Sequence, residues 1–462
     1  MCKFALVCFG NEESYGLQFV GGELLLLSQD IKYFDTEEDD ITKAIFEWDP
    51  DFIMFSPMTT FFKRSLEIAE TLKWIFPSIT TVYGGHHASS YPEIIENPNI
   101  DVVVVGPVRG SIPMILDGYK GVIKLPLTTP DNLPMPDREQ YYKDIPRIKE
   151  RYRKVMISLF GCPWSCAYCS SSSNHLREIY GNKPHKQYFL NRRPINIIIK
   201  EAKEILRLSP ETCEIEWVDD DIFSGTNYQE WLLEFIKVWK EEINLPMYIS
   251  TTSVGILRAS DELLTELRSI VNCVGMGVQA IRPESLKMFN RGWDNEATMK
   301  AAYDKMVSFG YRVNLQAIVG LPVEDPVEDA LETIKALQRI GPGCICSVYP
   351  LMVYPGTKID KICKENKFSL WPKSGDTNSG KPDIFYGAHI VNQLRNICKL
   401  STFFVKYGIK ESLMRILIDI EFNDEISKKL SMERYRECVV DRLGDKGSEI
   451  FNDIIKSMKL RY

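Results

Sequence analysis

Twice along this chain, short apolar runs alternate with stretches whose apolar residues recur at helical spacing. This double alternation limits the fold more than any other feature, because strands alternating with helices build βαβ units around a parallel sheet. The first run carries strands at 4–8, 53–56, 81–83 and 102–105, with helices at 15–27, at 62–75 and near Glu93. Val102-Val103-Val104-Val105 is apolar without a break, as in a strand covered on both faces. In such sheets ligands bind beyond the carboxyl ends of the strands. The segments there are Gly10-Asn11-Glu12, Ser56-Pro57-Met58-Thr59-Thr60, Gly84-Gly85-His86-His87 and Gly106-Pro107-Val108-Arg109-Gly110. Their Gly, Ser and Thr content suits close backbone approach and hydrogen bonding to a large polar group.

The second run has strands at 155–159, 214–218, 247–251, 273–278, 312–319 and 345–349, each but the last followed by a helical stretch. About six βα repeats make a partial or full parallel barrel, whose active face lies at the carboxyl ends of the strands. A Pro-rich stretch from Leu125 to Asp137 separates the two runs, and proline stiffens and interrupts both helix and ladder. The chain therefore divides into a sheet domain at 1–131, a linker at 132–153, a barrel domain at 154–357 and a mainly helical region at 358–462. Within the last, the apolar spacing from Leu413 to Ile420 predicts a core-facing helix.

Composition removes several function classes. The 462 residues are 44% hydrophobic and 26% charged, ordinary for a folded protein and incompatible with wholesale disorder. A net charge of −7 without a long basic run gives no electrostatic case for nucleic-acid binding. No apolar run reaches the ~18–20 residues of a membrane span; the longest, around 19–27, is interrupted by Gly21, Gly22 and Glu23. The first residues read as a buried strand and lack the pattern of a secretory signal, so a cytoplasmic protein is expected. Of the twelve cysteines, nine are scattered, most in apolar stretches where a free Cys packs as a small core residue. The other three form Cys162-x3-Cys166-x2-Cys169, directly after an apolar strand.

Three thiolates on one short loop can converge on an iron–sulfur cluster, which Cys ligates as thiolate. They are one short of a complete ligand set, and catalytic metal sites keep such a position open. Zinc more often takes paired Cys-x2-Cys hairpins or a close His; His175 is offset. Buried or zinc-binding cysteines remain the alternative on spacing alone.

With Tyr168 before the last Cys, the trio resembles the signature of the radical S-adenosylmethionine (SAM) superfamily. Later motifs resemble its subgroup with an N-terminal cobalamin (B12)-binding domain. The acidic second-strand element is Glu216-Trp217-Val218-Asp219-Asp220-Asp221. Gly275-Met276-Gly277-Val278-Gln279-Ala280 with Arg291 is similar to the fourth-strand motif, Gln279 standing where Glu is common. Val319-Gly320-Leu321-Pro322 resembles the fifth-strand turn, and Tyr354-Pro355-Gly356-Thr357 a Tyr-Pro-Gly-Thr element. Val82-Tyr83-Gly84-Gly85-His86-His87 and the stretch Asp101 to Gly106 resemble elements of the B12 domains. The likeness covers about residues 1–357. Gly106-Pro107-Val108-Arg109-Gly110 departs from the usual Gly-Glu-Gly-Glu, and the Asp-x-His-x-x-Gly loop of classical B12 enzymes is absent.

The resemblance implies an α/β chain: a Rossmann-like (doubly wound) cobalamin-binding domain, a partial or full parallel βα barrel of the radical SAM type, and a helical C-terminal region. It implies a 4Fe–4S cluster on Cys162, Cys166 and Cys169. For SAM the candidates are Tyr168, Asp219, Asp220, Ser250, Gln279, Arg291 and Gly320. For cobalamin they are Ser56, Thr59, Thr60, Gly84, Gly85, His86 and Gly106, with no protein His on cobalt. Bland readings stand beside these: a solvated strand end for Asp219–Asp221, a plain strand-end hydroxyl for Ser250, and loop residues without a cofactor role for His86 and His87. The implied function is methylation of an unactivated carbon in a peptide, protein or small molecule, through a 5′-deoxyadenosyl radical and methylcobalamin. An external one-electron donor such as ferredoxin or flavodoxin would supply the reducing electron. A non-methylating cyclisation, rearrangement or oxidation is the alternative within the family. An iron–sulfur electron-transfer or scaffold protein is the alternative outside it, and the three-Cys signature argues against that.

Overall fold

The computed structural model describes residues 1–462 apart from Asn11, Asp39, Thr128, 371–381, 444–447, 450–451 and 453–462. The first sheet contains β1 (Lys3–Cys8), β2 (Asp30–Asp35), β3 (Phe52–Phe55), β4 (Thr80–Tyr83), β5 (Val102–Val104) and β6 (Gly121–Ile123). Their order is β2-β1-β3-β4-β5-β6, and every pairing is parallel. Alternate residues of β1 enter two separate cores. Phe4, Leu6 and Cys8 pack with Leu17 and Leu24 on one face. Ala5 and Val7 pack with Ile45, Ile68 and Leu72 on the other. Two covered faces explain the unbroken apolar strands. The two strands that the sequence pattern omits, β2 and β6, are the sheet edges, where Asp30, Lys32 and Gly121 dilute the apolar signal.

The stretch read as a linker is not a free spacer. It forms the helices Glu139–Asp144 and Pro146–Lys149, which bury Tyr141, Tyr142, Ile145 and Ile148 in the core that contains Phe4 and Leu6. The Asp144 carboxylate accepts the Tyr33 N–H (2.9 Å), and Arg147 pairs with Asp35. These contacts attach the segment to edge strand β2.

The second sheet contains β7 (Arg153–Met156), β8 (Glu214–Trp217), β9 (Met247–Thr252), β10 (Val271–Gln279), β11 (Arg312–Val319) and β12 (Cys346–Pro350). Each strand pairs in parallel with the next in sequence, and β7 and β12 are the two free edges. Of the two barrel forms expected, the partial one is present: an open half-barrel. Helices cover its outer face, where Trp217 meets Phe235 and Trp239. The C-terminal helix Ala388–Lys406 extends the same core through Leu394, Ile397 and Phe404. The helix Glu411–Ile418 is less buried than its pattern predicts: Met414 and Ile418 face the core, whereas Leu413, Ile416 and Ile420 are exposed.

A buried ionic network ties the two sheets together. Glu201, on the helix Ile195–Leu208, accepts from Arg138 (2.6 Å), Arg193 (2.8 Å) and the Tyr15 hydroxyl (2.8 Å), and Arg138 also binds Glu13 (2.9 Å). The charged side chains are at most 1% exposed. Glu13 and Tyr15 come from the first sheet domain, Arg138 from the connecting segment, and Arg193 and Glu201 from the half-barrel. Among the described residues no helix is long and apolar enough to cross a membrane.

Candidate active site

The carboxyl ends of both sheets open onto one cavity of about 1210 Å3. That exceeds the ~300–1,000 Å3 of ordinary small-molecule pockets and suits a large cofactor together with a second ligand. From the first sheet Ser56, Gly84, Gly85, His86 and Gly106 line it, all five among the residues expected to face cobalamin. Gly85 has φ +80°, and a Cβ there would lie 2.3 Å from Ser56 Oγ. Gly106 (φ +94°) admits the Tyr180 ring in the same way, with a Cβ position 3.2 Å from Tyr180 Cε1. Gly85 and Gly106 thus admit the Ser56 and Tyr180 side chains, which could not sit there beside a Cβ, at this end of the cavity.

Thr59 and Thr60 do not line the cavity, against expectation. Both are buried, and the Thr59 hydroxyl is hydrogen-bonded to His87 Nδ1 (3.0 Å). His87 stacks on Phe62, which makes it a packing residue. His86 is the cavity-facing member of the pair, and the surrounding walls lower its pKa, favouring the neutral imidazole.

The three cysteines lie on the loop between β7 and the helix Ser173–Tyr180, and none is in a disulfide. The loop is anchored on several sides. Ala167 N–H donates to the Phe289 carbonyl (2.9 Å), Asn290 Nδ2 to the Ser165 carbonyl (2.8 Å), and Trp164 Nε1 to Asp221. Cys162 and Cys166 are buried, and Cys169 is partly so. Burial pushes the Cys162 and Cys169 thiols up, with the Asp220 carboxylate adding to the effect. Three thiols on one anchored loop are the donor set a soft metal or cluster takes. Among the described residues no three His, Cys, Asp or Glu side chains converge as the ligands of one metal ion would. A cluster does not require this, since each thiolate binds a different iron. Ser170 and Ser171, immediately after Cys169, line the cavity.

The acid triplet is divided by strand alternation. Asp219 and Asp221 are buried, whereas Asp220 opens into the cavity. Asp219 accepts from Ser158 N (2.7 Å), Leu159 N (3.0 Å), Ser158 Oγ (2.6 Å) and Arg192 Nη1 (2.5 Å). A carboxylate has about four acceptor sites, so nothing is left for SAM, and the expectation for Asp219 is corrected: it straps β7 to β8. Asp221 is engaged by Thr251 Oγ1 (2.6 Å), Thr252 Oγ1 (3.2 Å) and Trp164. Asp220 is pushed up to about 7 by its enclosed position and the Asp219 and Asp221 charges, partly offset by a hydrogen bond from Ser171.

Ser250 lines the cavity as expected. So does Asp220, and the remaining SAM candidates lie elsewhere. Arg291 is buried, donating to the Gly277 carbonyl (2.8 Å), Asp294 (2.9 Å) and Cys166 Sγ (3.8 Å). Tyr168 sits edge-on to Phe289. Gln279 ends β10 at φ +69°, with its amide over Gly277. These three gather around the cysteine loop and the end of β10 rather than on the cavity wall. Gly320 (φ +78°) is enclosed by Pro382 and Leu394, so its backbone serves packing against the C-terminal segment. Sequence reasoning missed Arg192, the partner of Asp219, and the cavity residues Tyr248, Asn314, Gln316 and Ser347. The signal was available: in Val313-Asn314-Leu315-Gln316-Ala317 polar side chains take every second position of an apolar strand.

Residues 25–116 match the B12 binding domain family, and residues 156–337 match the radical SAM superfamily. The chain belongs to the radical SAM enzymes that carry a B12-binding domain. The two domains are those that bind cobalamin and SAM. It is 22% identical over 371 residues, 74% of this chain and 76% of the relative, to an uncharacterized methyltransferase of Pyrococcus horikoshii. It is 25% identical over 309 residues, 60% of this chain and 56% of the relative, to the hopanoid C-3 methylase of Methylococcus capsulatus. Its fold matches that of TsrM, a radical SAM methyltransferase from Kitasatospora setae solved with cobalamin and a 4Fe–4S cluster bound. The TM-score is 0.65, over 99% of both chains, at 12% identity.

Proposed function

We propose that this enzyme methylates an unactivated carbon of a peptide, protein or small molecule. The observation that carries the proposal is the single cavity onto which the carboxyl ends of both sheets open, lined by Gly84, Gly85 and Gly106 of the first sheet domain and by Ser170 and Ser171 at the end of the cysteine loop. When bound, the cluster supplies the electron that splits SAM to a 5′-deoxyadenosyl radical, and cobalamin supplies the methyl group. The residues that would hold the cluster are Cys162, Cys166 and Cys169. Arg291 donates to Cys166 Sγ and places a buried guanidinium beside that thiol. Ser250 and Asp220 present a hydroxyl and a carboxylate to the cavity wall, acceptors for the amine and ribose hydroxyls of SAM. Ser56, Gly84, Gly85 and Gly106 would cradle cobalamin through backbone and one hydroxyl. The buried network of Glu13, Arg138, Arg193 and Glu201 holds the two halves in fixed relation, so that methyl donor and radical meet one substrate. An external ferredoxin or flavodoxin would deliver the electron.

The test is anaerobic reconstitution with iron, sulfide and cobalamin, then incubation with SAM and dithionite as the electron donor, followed by quantification of 5′-deoxyadenosine and S-adenosylhomocysteine. Methylation predicts both products. Deoxyadenosine alone indicates a non-methylating radical outcome, and neither product refutes the proposal.

A further inference from the structure

The half-barrel ends at β12, and the chain covers that free edge with its C-terminal helices. The helix Ala388–Lys406 is fastened there by the Thr402 hydroxyl, which donates to the Cys346 carbonyl (2.7 Å). The helix Asp424–Leu443 packs on it in turn. Ser427, Ser431, Arg434 and Tyr435 of this second helix share one face by the 3.6-residue period. That face reaches the cavity: Lys399, Ser431, Arg434 and Tyr435 line it together with Asp220 and the glycines of the first sheet domain.

Arg434 is half-buried and held in place, but no acid neutralises it. Its Nη1 donates to the Cys398 carbonyl (3.1 Å), and its guanidinium lies 5.8 Å from the Tyr349 ring centroid, within cation–π range. It forms no ion pair among the described residues. The acids of its own helix are engaged by other cations, Glu437 by Lys406 and Arg436 (3.7 Å) and Glu433 by Arg436 (3.5 Å). Lys399 adds a second cation, its Nζ donating to Ser427 Oγ (2.8 Å).

The remaining charges on the cavity wall do not answer these two. Arg153 and Glu216 pair with each other (3.1 Å), Glu12 with Arg151 (3.2 Å) and Glu13 with Arg138 (2.9 Å). Asp220 lies beyond β8, four strand positions from β12 in the sheet, and Arg109 of the first sheet domain is a further cation. A guanidinium offers five N–H donors in a planar fork that matches a carboxylate, and Cys398 takes one of them. The cobalamin candidates belong to the first sheet, and the cavity-facing SAM candidates, Ser250 and Asp220, to β9 and the end of β8. The β12 edge is left to the substrate.

We infer that Arg434, with Lys399 on the neighbouring helix, binds a carboxylate of the substrate at the β12 edge of the cavity. This rests on the methyltransferase reading and narrows its substrate class to carboxylic acids.

The experiment uses the full-length enzyme with cluster and cobalamin loaded. Saturating SAM is present without reductant, so that SAM fills its own site and does not turn over. Three probes that share one ring are measured by ligand-observed NMR: benzoate, benzamide and phenyl phosphate. Hydrogen bonds to charged groups are the strong ones, so benzoate should bind about tenfold more tightly than benzamide. Arg434→Gln should erase that preference, and Arg434→Lys, which keeps the charge, should retain it, all compared at equal iron and cobalamin content. Equal binding of benzoate and benzamide to the wild type overturns the inference without recourse to a variant. So does an undiminished preference in Arg434→Gln, which would put the anion site elsewhere, and so does tighter binding of phenyl phosphate than of benzoate. Wild-type turnover of SAM with dithionite is measured in parallel. If deoxyadenosine and S-adenosylhomocysteine both form and the preference is absent, the subsite fails and the methyltransferase reading stands. A preference without those products supports the subsite and counts against that reading.

Discussion

An Asp219→Asn variant should melt well below the wild type, whereas Asp220→Asn, one residue away, should not. Asp219 is enclosed by Ser158, Leu159 and Arg192, and its ion pair with Arg192 has both side chains at most 1% exposed. The amide would keep one oxygen for the Ser158 and Leu159 N–H groups but turn an NH2 toward the Ser158 hydroxyl and the guanidinium. Arg192 would retain its bonds to the Ile222 (2.6 Å) and Ser224 (2.9 Å) carbonyls, so the guanidinium would not be wholly unpaired. Breaking a buried pair costs ~3–5 kcal/mol, and these surviving bonds place the cost near ~3 kcal/mol. For a domain of the half-barrel's size, ~3 kcal/mol lowers Tm by roughly 6–12 °C. The assay is anaerobic scanning fluorimetry of protein without cofactors at pH 8, both variants beside wild type. The reasoning is refuted if Asp219→Asn melts within about 1 °C of wild type, or if Asp220→Asn is the variant that loses stability.

The pH dependence of Asp220 has a defined sign. Its pKa rises from 3.8 to about 7 on folding, so its favourable contribution is full below about 4 and is lost as pH climbs to about 7. Asp220→Asn should therefore be more stable than wild type at pH 8, with the difference vanishing toward pH 4 in cofactor-free thermal scans. Glu201→Gln leaves Arg138 and Arg193 without their shared carboxylate and should cost ~3–5 kcal/mol, read as early loss of the contact between sheet domains in hydrogen exchange of residues 13–15. Gly85→Ala forces an L side chain to φ +80°, a strain of ~1–2 kcal/mol, and turns Ser56 aside; cobalamin retained through gel filtration should fall. Replacing Cys162, Cys166 and Cys169 together by Ala should abolish iron binding after anaerobic reconstitution, and retained iron would exclude the loop as the cluster site.

Local pattern carried the parts of this protein that depend on near neighbours in the chain. The interior strands, the order of the two sheet domains and the Cys162-Cys166-Cys169 loop are legible because alternation and spacing are short-range properties. The edge strands β2 and β6 are not, since one covered flank leaves room for the polar residues that hide them. The connecting segment looks like a spacer by its prolines, yet Tyr141, Tyr142 and Ile148 dock it onto the first sheet through partners more than a hundred residues away. Only the tertiary structure divides the triplet. Ile215 and Trp217 pack outward under the helices, so the alternating parity turns Asp220 into the cavity and leaves Asp219 and Asp221 to Arg192 and Trp164. The same parity exposes Asn314 and Gln316 to the cavity. In a chain that must cover one face of a sheet and leave the other open, the covering elements decide which of two adjacent side chains meets the ligand, and those elements lie far along the sequence.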